Sequence, residues 1–306
     1  MATSLDGLLE RVEEGAPLSD ADVAALADTR DIIALGMLAT TVRRKLHGGV
    51  VTFVRVRDLQ RGSSADSVLN PATGLDPEAG EIRVLDTPRT LEAAVGVVTA
   101  AREFAGDIPM SAFSLFELTR LPEGLPVVLH ALRQAGLEWI AQAPVDRLAS
   151  PESTLEAATD AGLKVARLTL DRPIDRPWVD LCRDVARYQS SLGSIRAFAP
   201  LPRTIDATQP TTGYEDVRRI ALSRVLAGVD VIQVDWALYG PKLAQVALTF
   251  GADDIDSVDS GGDDSKGRRR SPIEEIRRGI RAAGFEPVER DGRFVERESS
   301  RSLESR

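Results

Sequence analysis

The side chains able to do chemistry in this chain fall into a few short strings. They are Asp253-Asp254 with Asp256, Asp235-Trp236, Asp171-Arg172, Asp86, Ser114 with Glu117, Gln142, and Arg203. Grouped carboxylates can hold a divalent cation or act as a general base. Arg203 or Arg172 can receive a carboxylate or phosphate through two parallel N–H bonds. Each acid also has a structural reading: a strand-end aspartate caps the helix that follows it. Asp86 before Thr87-Pro88 and Asp171 before Arg172-Pro173 suit turns equally well. His47 reads as a helix-end or surface contact and His130 as a residue on the outer or packing face of a helix. Neither has the sequence-linked partner of a catalytic base.

The remaining reactive types are scarce, and the scarcity excludes whole classes. The single cysteine, Cys182, sits at apolar helical spacing and reads as a small buried hydrophobe. One thiol rules out a disulfide framework and an all-cysteine metal or iron–sulfur site within one chain. With only two histidines, a Cys/His zinc site is excluded as well. The 306 residues carry 38 basic and 47 acidic side chains, a net charge of −9. That balance argues against nucleic-acid or anionic-membrane binding. Arg268-Arg269-Arg270 beside Asp263-Asp264 reads as solvated charge. With no apolar run of about 18 residues and no signal-peptide pattern, the expectation is a cytoplasmic chain. P-loop, dinucleotide and nucleophile-elbow motifs are missing.

The elements that must position these residues show in the apolar periodicity. Leu5, Leu8, Leu9 and Val12 share a helical face, Ser19 begins a second helix, and Asp31 can cap a third, Ile32 to Leu46, that ends at Gly48-Gly49. From Val50, short apolar runs alternate with helical stretches. Expected strands are 50–56, 81–85, 108–113, 137–141, 163–170, 195–199, 229–234 and a weak eighth near 252–255; expected helices lie between them at 90–104, 124–135, 153–161, 178–191, 214–227 and 242–250. Eight strands in about 210 residues predict a closed (β/α)8 TIM-type barrel with a helical N-terminal cap. Residues 57–80 lack a helical period, so the first crossover is expected to be a loop, either functional or disordered. The expected division is a cap at 1–49, the barrel at 50–258, a flexible linker at 259–270, a closing helix and strand at 271–295 and a frayed tail at 296–306.

Several stretches together carry a family resemblance. Leu35-Gly36-Met37-Leu38-Ala39, then Val42 to Gly48, look like the segment before the first strand of radical SAM enzymes. The enzymes in question are those of futalosine-dependent menaquinone synthesis, aminofutalosine synthase and the related cyclase. Gly240 to Leu248 with Phe250 to Asp256, and Glu274 to Asp291, resemble the same family's C-terminal part. The resemblance implies a radical SAM barrel fold, a four-iron cluster held by CxxxCxxC after the first strand, and SAM bound to its open iron.

This chain departs from that pattern at each cofactor determinant. Val51 to Arg57 match the strand, but no cysteine follows. The glycine run after the fourth strand is Ala141-Gln142-Ala143-Pro144, where side chains obstruct the close approach of backbone to SAM. Leu170-Asp171-Arg172 stands for Tyr-Gly-His, and Asp256-Ser257-Val258 for Asp-Gly-Thr. The expectation is a member without cluster or SAM, with no resident cofactor or metal. It would serve as a non-catalytic binding or partner subunit whose partner is a menaquinone-pathway enzyme or a small anionic ligand. The alternative is a repurposed barrel enzyme using strand-end carboxylates. The candidate pocket is Glu117, Asp171, Arg203, Asp235, Trp236, Asp253, Asp254 and Asp256. Glu117 and the Asp253-Asp254 pair fall where the family also has acids.

Overall fold

Helices α1 (Leu5–Glu14), α2 (Asp20–Asp28) and α3 (Ile32–His47) form the N-terminal cap. The computed structural model describes residues 5–14, 16–59, 78–204, 212–260 and 273–297. Ser19 starts α2 through a capping box, its hydroxyl receiving the Asp22 N–H while Asp22 accepts from the Ser19 N–H at 2.9 Å. Asp31 caps α3 by accepting from the Ala34 N–H at 3.0 Å. Gly48, at φ 57°, turns the chain out of α3 in a conformation other residues resist. Leu8, Leu26, Leu35, Leu38 and Ala39 form a core of their own against Ala221 and Leu222 of the barrel's helical shell.

The barrel strands are β1 (Val50–Leu59), β2 (Glu81–Val84), β3 (Met110–Ser114), β4 (Trp139–Pro144), β5 (Lys164–Leu170), β6 (Ile195–Pro202), β7 (Val231–Asp235) and β8 (Asp254–Asp259). Each pairs in parallel with the next, and β8 and β2 both pair with β1, closing the cylinder. Helices α4 (Leu91–Ala105), α6 (Leu125–Gln134), α7 (Pro151–Asp160), α8 (Trp178–Leu192), α9 (Gly213–Leu226) and α10 (Trp236–Leu248) surround it, with a short α5 (Leu115–Leu118) after β3. Apolar side chains between strands and helices make the main core. This is the expected TIM-type architecture.

Helix α11 (Ile273–Ala282) and strand β9 (Glu286–Glu289) close the chain. Val50–Phe53 of β1 pair with β9, and Val56–Leu59, higher on the same edge, pair with β2. The last strand therefore fills the foot of the seam between β1 and β2. Buried Arg43 fastens this corner to the cap: it donates to the Gly48 and Val50 carbonyls at 3.1 and 2.6 Å and lies 3.8 Å over the Phe285 ring.

Several elements differ from expectation, β4 and β6 among them, which end at Pro144 and Pro202, three residues later than read. Strand eight runs Asp254–Asp259, two residues later than read, because arginines described below make acids tolerable inside it. Helix α10 begins at Trp236 and breaks at Gly240 (φ 72°) before Pro241, whereas the periodicity marks only its second half. Strand β1 continues to Leu59. The loop reading for 57–80 and the linker reading for 259–270 fall largely outside the described residues, as does most of the tail. Among the described residues no helix is long and apolar enough to cross a membrane.

Candidate functional site

The barrel interior is built around charge. Arg83 of β2 donates to both oxygens of Asp256 of β8, at 2.8 and 3.1 Å, and to both oxygens of its neighbour Glu81, at 3.0 and 2.8 Å. Arg167 of β5 reaches across the barrel to the same Asp256 and lies 3.3 Å from Glu81. The Ser111 hydroxyl of β3 donates to Glu81 at 2.5 Å. Burial alone would raise the pKa of Asp256 and of Glu81, but Arg167 and Arg83 hold both carboxyls below their ordinary range. Burial, and Arg83 beside it, lower the pKa of Arg167.

At the foot of the barrel, Asp254 accepts from Arg290 Nε and Nη2 at 2.5 and 2.7 Å, from Thr52 Oγ1 at 2.6 Å and from Gln233 Nε2 at 2.7 Å. Arg290 follows β9, so the closing strand delivers this cation into the core; the Phe294 ring lies 3.9 Å from its guanidinium. Asp253 is also at the foot, but it joins a different group. It accepts from Arg224 Nη2 at 2.5 Å and the Ile232 N–H at 2.9 Å. His47 Nε2 is 3.1 Å from the same carboxylate and 2.7 Å from the Asp230 carbonyl. Burial pushes the Asp253 carboxyl up, against the pull of Arg224 and His47.

These positions correct the reading that placed Asp253, Asp254 and Asp256 at the open, C-terminal end of strand eight. With β8 beginning at Asp254, Asp253 and Asp254 stand at the opposite end of the barrel, and Asp256 lies within it. Each is committed to an arginine.

The mouth holds the rest of the expected set in separate places. Asp235 caps α10 through the Leu238 N–H at 2.9 Å, and its other oxygen receives Arg203 at 3.2 Å and the Ser257 hydroxyl at 3.0 Å. Ser257 also accepts from Arg83 at 3.1 Å, linking mouth to interior. Trp236 is buried, its indole N–H meeting no acceptor among the described residues. Asp171 pairs with Arg147 at 3.0 Å; burial and neighbouring Asp146 raise its pKa. Glu117 pairs with Arg120 at 3.2 Å and is not part of the interior network. His130 is exposed and meets Gln134.

Sequence reasoning missed Glu81, Arg83, Arg167, Arg290 and Ser257. Glu81 and Arg83 are two apart in a strand whose residues are all buried, a period-2 pair of charges that marks an inner barrel face.

A four-iron cluster needs three thiolates, and the residues present do not fit one. Cys182 lies on α8 in the helical shell, its Sγ 3.9 Å from Ser223 Oγ of α9, and burial pushes its thiol up to about 12. Among the described residues no three His, Cys, Asp or Glu side chains are arranged to hold a metal ion.

The sequence pattern of the family described as the CofH/MqnC C-terminal region matches residues 199–303, about a third of the chain. Aminodeoxyfutalosine synthase of Streptomyces coelicolor is 26% identical, with 94% of this chain and 92% of that protein aligned. The 5-amino-6-(D-ribitylamino)uracil–L-tyrosine 4-hydroxyphenyl transferase of Methanopyrus kandleri is 27% identical over 71% of this chain and 66% of its own. Among solved structures, methylornithine synthase (PylB) superposes with a TM-score of 0.64 over 93% of this chain and 97% of its own, at 14% identity, a likeness of fold. Barrel, closing segment and aligned length agree in likening this chain to the futalosine-pathway enzymes, while its sequence carries a single cysteine.

Proposed function

We propose that this protein is a cluster-free member of the radical SAM family of futalosine-pathway enzymes, acting as a binding or partner subunit for one of those enzymes rather than as a radical initiator. The observation that carries the reading is the position of its one thiol. Cys182 faces Ser223 between two shell helices, on the far side of the strands from the barrel interior, with its proton firmly held. The interior supports the same reading: Glu81, Asp254 and Asp256 are each neutralised by Arg83, Arg167 or Arg290. Such groups lock a fold more readily than they move protons.

The test is anaerobic reconstitution with iron and sulfide, followed by iron analysis, electron paramagnetic resonance and assay for 5′-deoxyadenosine. Stoichiometric cluster uptake with SAM cleavage would end the proposal.

A second reading, a repurposed barrel enzyme, rests on Asp171. It is half-buried at the mouth, and its raised pKa is the property a general base needs. This reading requires that Asp171→Asn abolish any turnover found in a substrate screen while leaving the melting temperature unchanged.

A further inference from the structure

Helix α3 carries an outward stripe that the monomer leaves uncovered. Ile33 and Met37 are 72% and 57% exposed on a helix whose other faces pack into the cap core. With Thr40, Thr41 and Arg44 they follow the i, i+4, i+7, i+8, i+11 spacing of one helical face. Beside the stripe runs a groove of about 380 Å3, walled by Ile33, Met37, Thr40 and Arg44 on one side and Thr249 and Phe250 on the other. Gly36 makes its floor: a Cβ there would stand 2.8 Å from the Phe250 ring, so only glycine lets the ring reach the helix. Exposed Val246 on α10 and Tyr214 on α9, whose hydroxyl donates to the Arg30 carbonyl, are nearby.

We propose that this face is a two-fold interface with a second copy of the same chain, α3 lying antiparallel on its counterpart. Charge selects that occupant. One end of the stripe carries Asp28, Asp31 and neighbouring Glu215 against Arg30; the other carries Arg44 near the end of the helix. Ile33 to Arg44 spans about 16 Å at the α-helical rise. An antiparallel arrangement whose axis passes between the levels of Met37 and Leu38 sets Arg44 of each copy against Asp31 of the other. It also opposes the two helix dipoles, and places each Met37 over the other copy's Gly36–Phe250 groove. A two-fold axis makes every contact twice, so one modest stripe serves as both halves of the interface. The inference stands apart from the proposed function, since it concerns the outer face of the cap and no residue of the barrel interior.

Sedimentation velocity of the full chain should show a dimer that Met37→Glu or Ile33→Asp converts to monomer, with circular dichroism unchanged because both side chains are exposed. Arg44→Glu should raise the dissociation constant about tenfold or more. Cys182 is buried, so Met37→Cys adds the accessible thiol, and mild oxidation should cross-link two copies through it. Val127→Cys, exposed on α6 elsewhere on the barrel, should not cross-link. A chain that stays monomeric to high concentration overturns the proposal. So does a dimer that survives Met37→Glu while Met37→Cys fails to cross-link, which would put the contact on another face. If the glutamate variant fails to fold, the cross-linking result decides alone.

Discussion

Arg83 and Asp256 meet in a two-pronged pair, both guanidinium Nη atoms against both carboxylate oxygens, at 2.8 and 3.1 Å, with essentially no solvent contact on either side. Strand β1 lies between their strands, so the pair bridges over it inside the barrel. Removing one member leaves the other charged and buried, which costs about 3–5 kcal/mol. Asp256→Ala should lower the urea-unfolding free energy by that amount. Replacing Asp256 together with Arg83 by apolar residues of similar volume should cost less than the single change. A double variant as unstable as the sum of its singles would show that the two residues act independently.

Acid should unfold the protein along a limb set by Glu81 and Asp256. In the unfolded chain carboxyls of these types protonate near pH 4. In the fold Arg167 and Arg83 keep both ionised to lower pH despite burial. The unfolded state therefore takes up protons that the folded state refuses. The stabilisation is complete above about pH 5 and is lost as pH falls below about 4. Asp253 works in the opposite sense: burial raises its carboxyl, so its contribution favours the fold at low pH and fades as pH rises through its folded value. Melting temperature measured from pH 7 down to pH 3 should fall steeply at the acid end, and Asp256→Asn should flatten that fall.

Ser257 should separate strain from hydrogen bonding. It holds φ at 58°, a left-handed conformation that costs a residue with Cβ roughly 1–2 kcal/mol and glycine little. Its hydroxyl meets Arg83, Asp235 and Asp256 within 3.2 Å. Ser257→Ala keeps the strain and loses those bonds, whereas Ser257→Gly loses the bonds and relieves the strain. Thermal unfolding should rank the glycine variant above the alanine variant by about 1 kcal/mol. Equal losses would mean the backbone at this position is relaxed.

Arg290 should decide whether the closing segment stays docked. Its contacts with Asp254, and Gly292 N–H to the Gly80 carbonyl at 2.9 Å, tie residues after β9 to the foot of the barrel. In Arg290→Met, amide hydrogen exchange across residues 286–297 should speed up well before the rest of the barrel opens. An unchanged exchange pattern there would show that β9 pairing alone holds the segment.

Much of the fold is legible because apolar runs and glycine stops are local signals. Ala135-Gly136-Leu137 and Ala161-Gly162-Leu163 end helices with Gly136 and Gly162 at positive φ, as the residue order suggests. Asp31 and Asp235 act as the caps their positions imply. The interior was not legible for the same physical reason that it is stable. Asp254 and Asp256 contradict strand propensity until Arg290, Arg83 and Arg167 stand beside them. Those partners lie 36, 173 and 89 residues away in sequence. Reading acids as strand-end residues shifted β8 and turned the foot of the barrel into its mouth.

The pairing of β9 with β1 also dictates when the barrel can be finished. Val50 finds its lower-edge neighbour in Glu286, so synthesis must pass that residue before the lower edge of β1 is covered. Until then that edge offers unpaired N–H and C=O groups to any passing strand, and contacts of such long sequence separation form late. A nascent chain released before Arg290 would lose its foot and a core cation together, becoming a substrate for chaperones rather than a shorter version of the same protein.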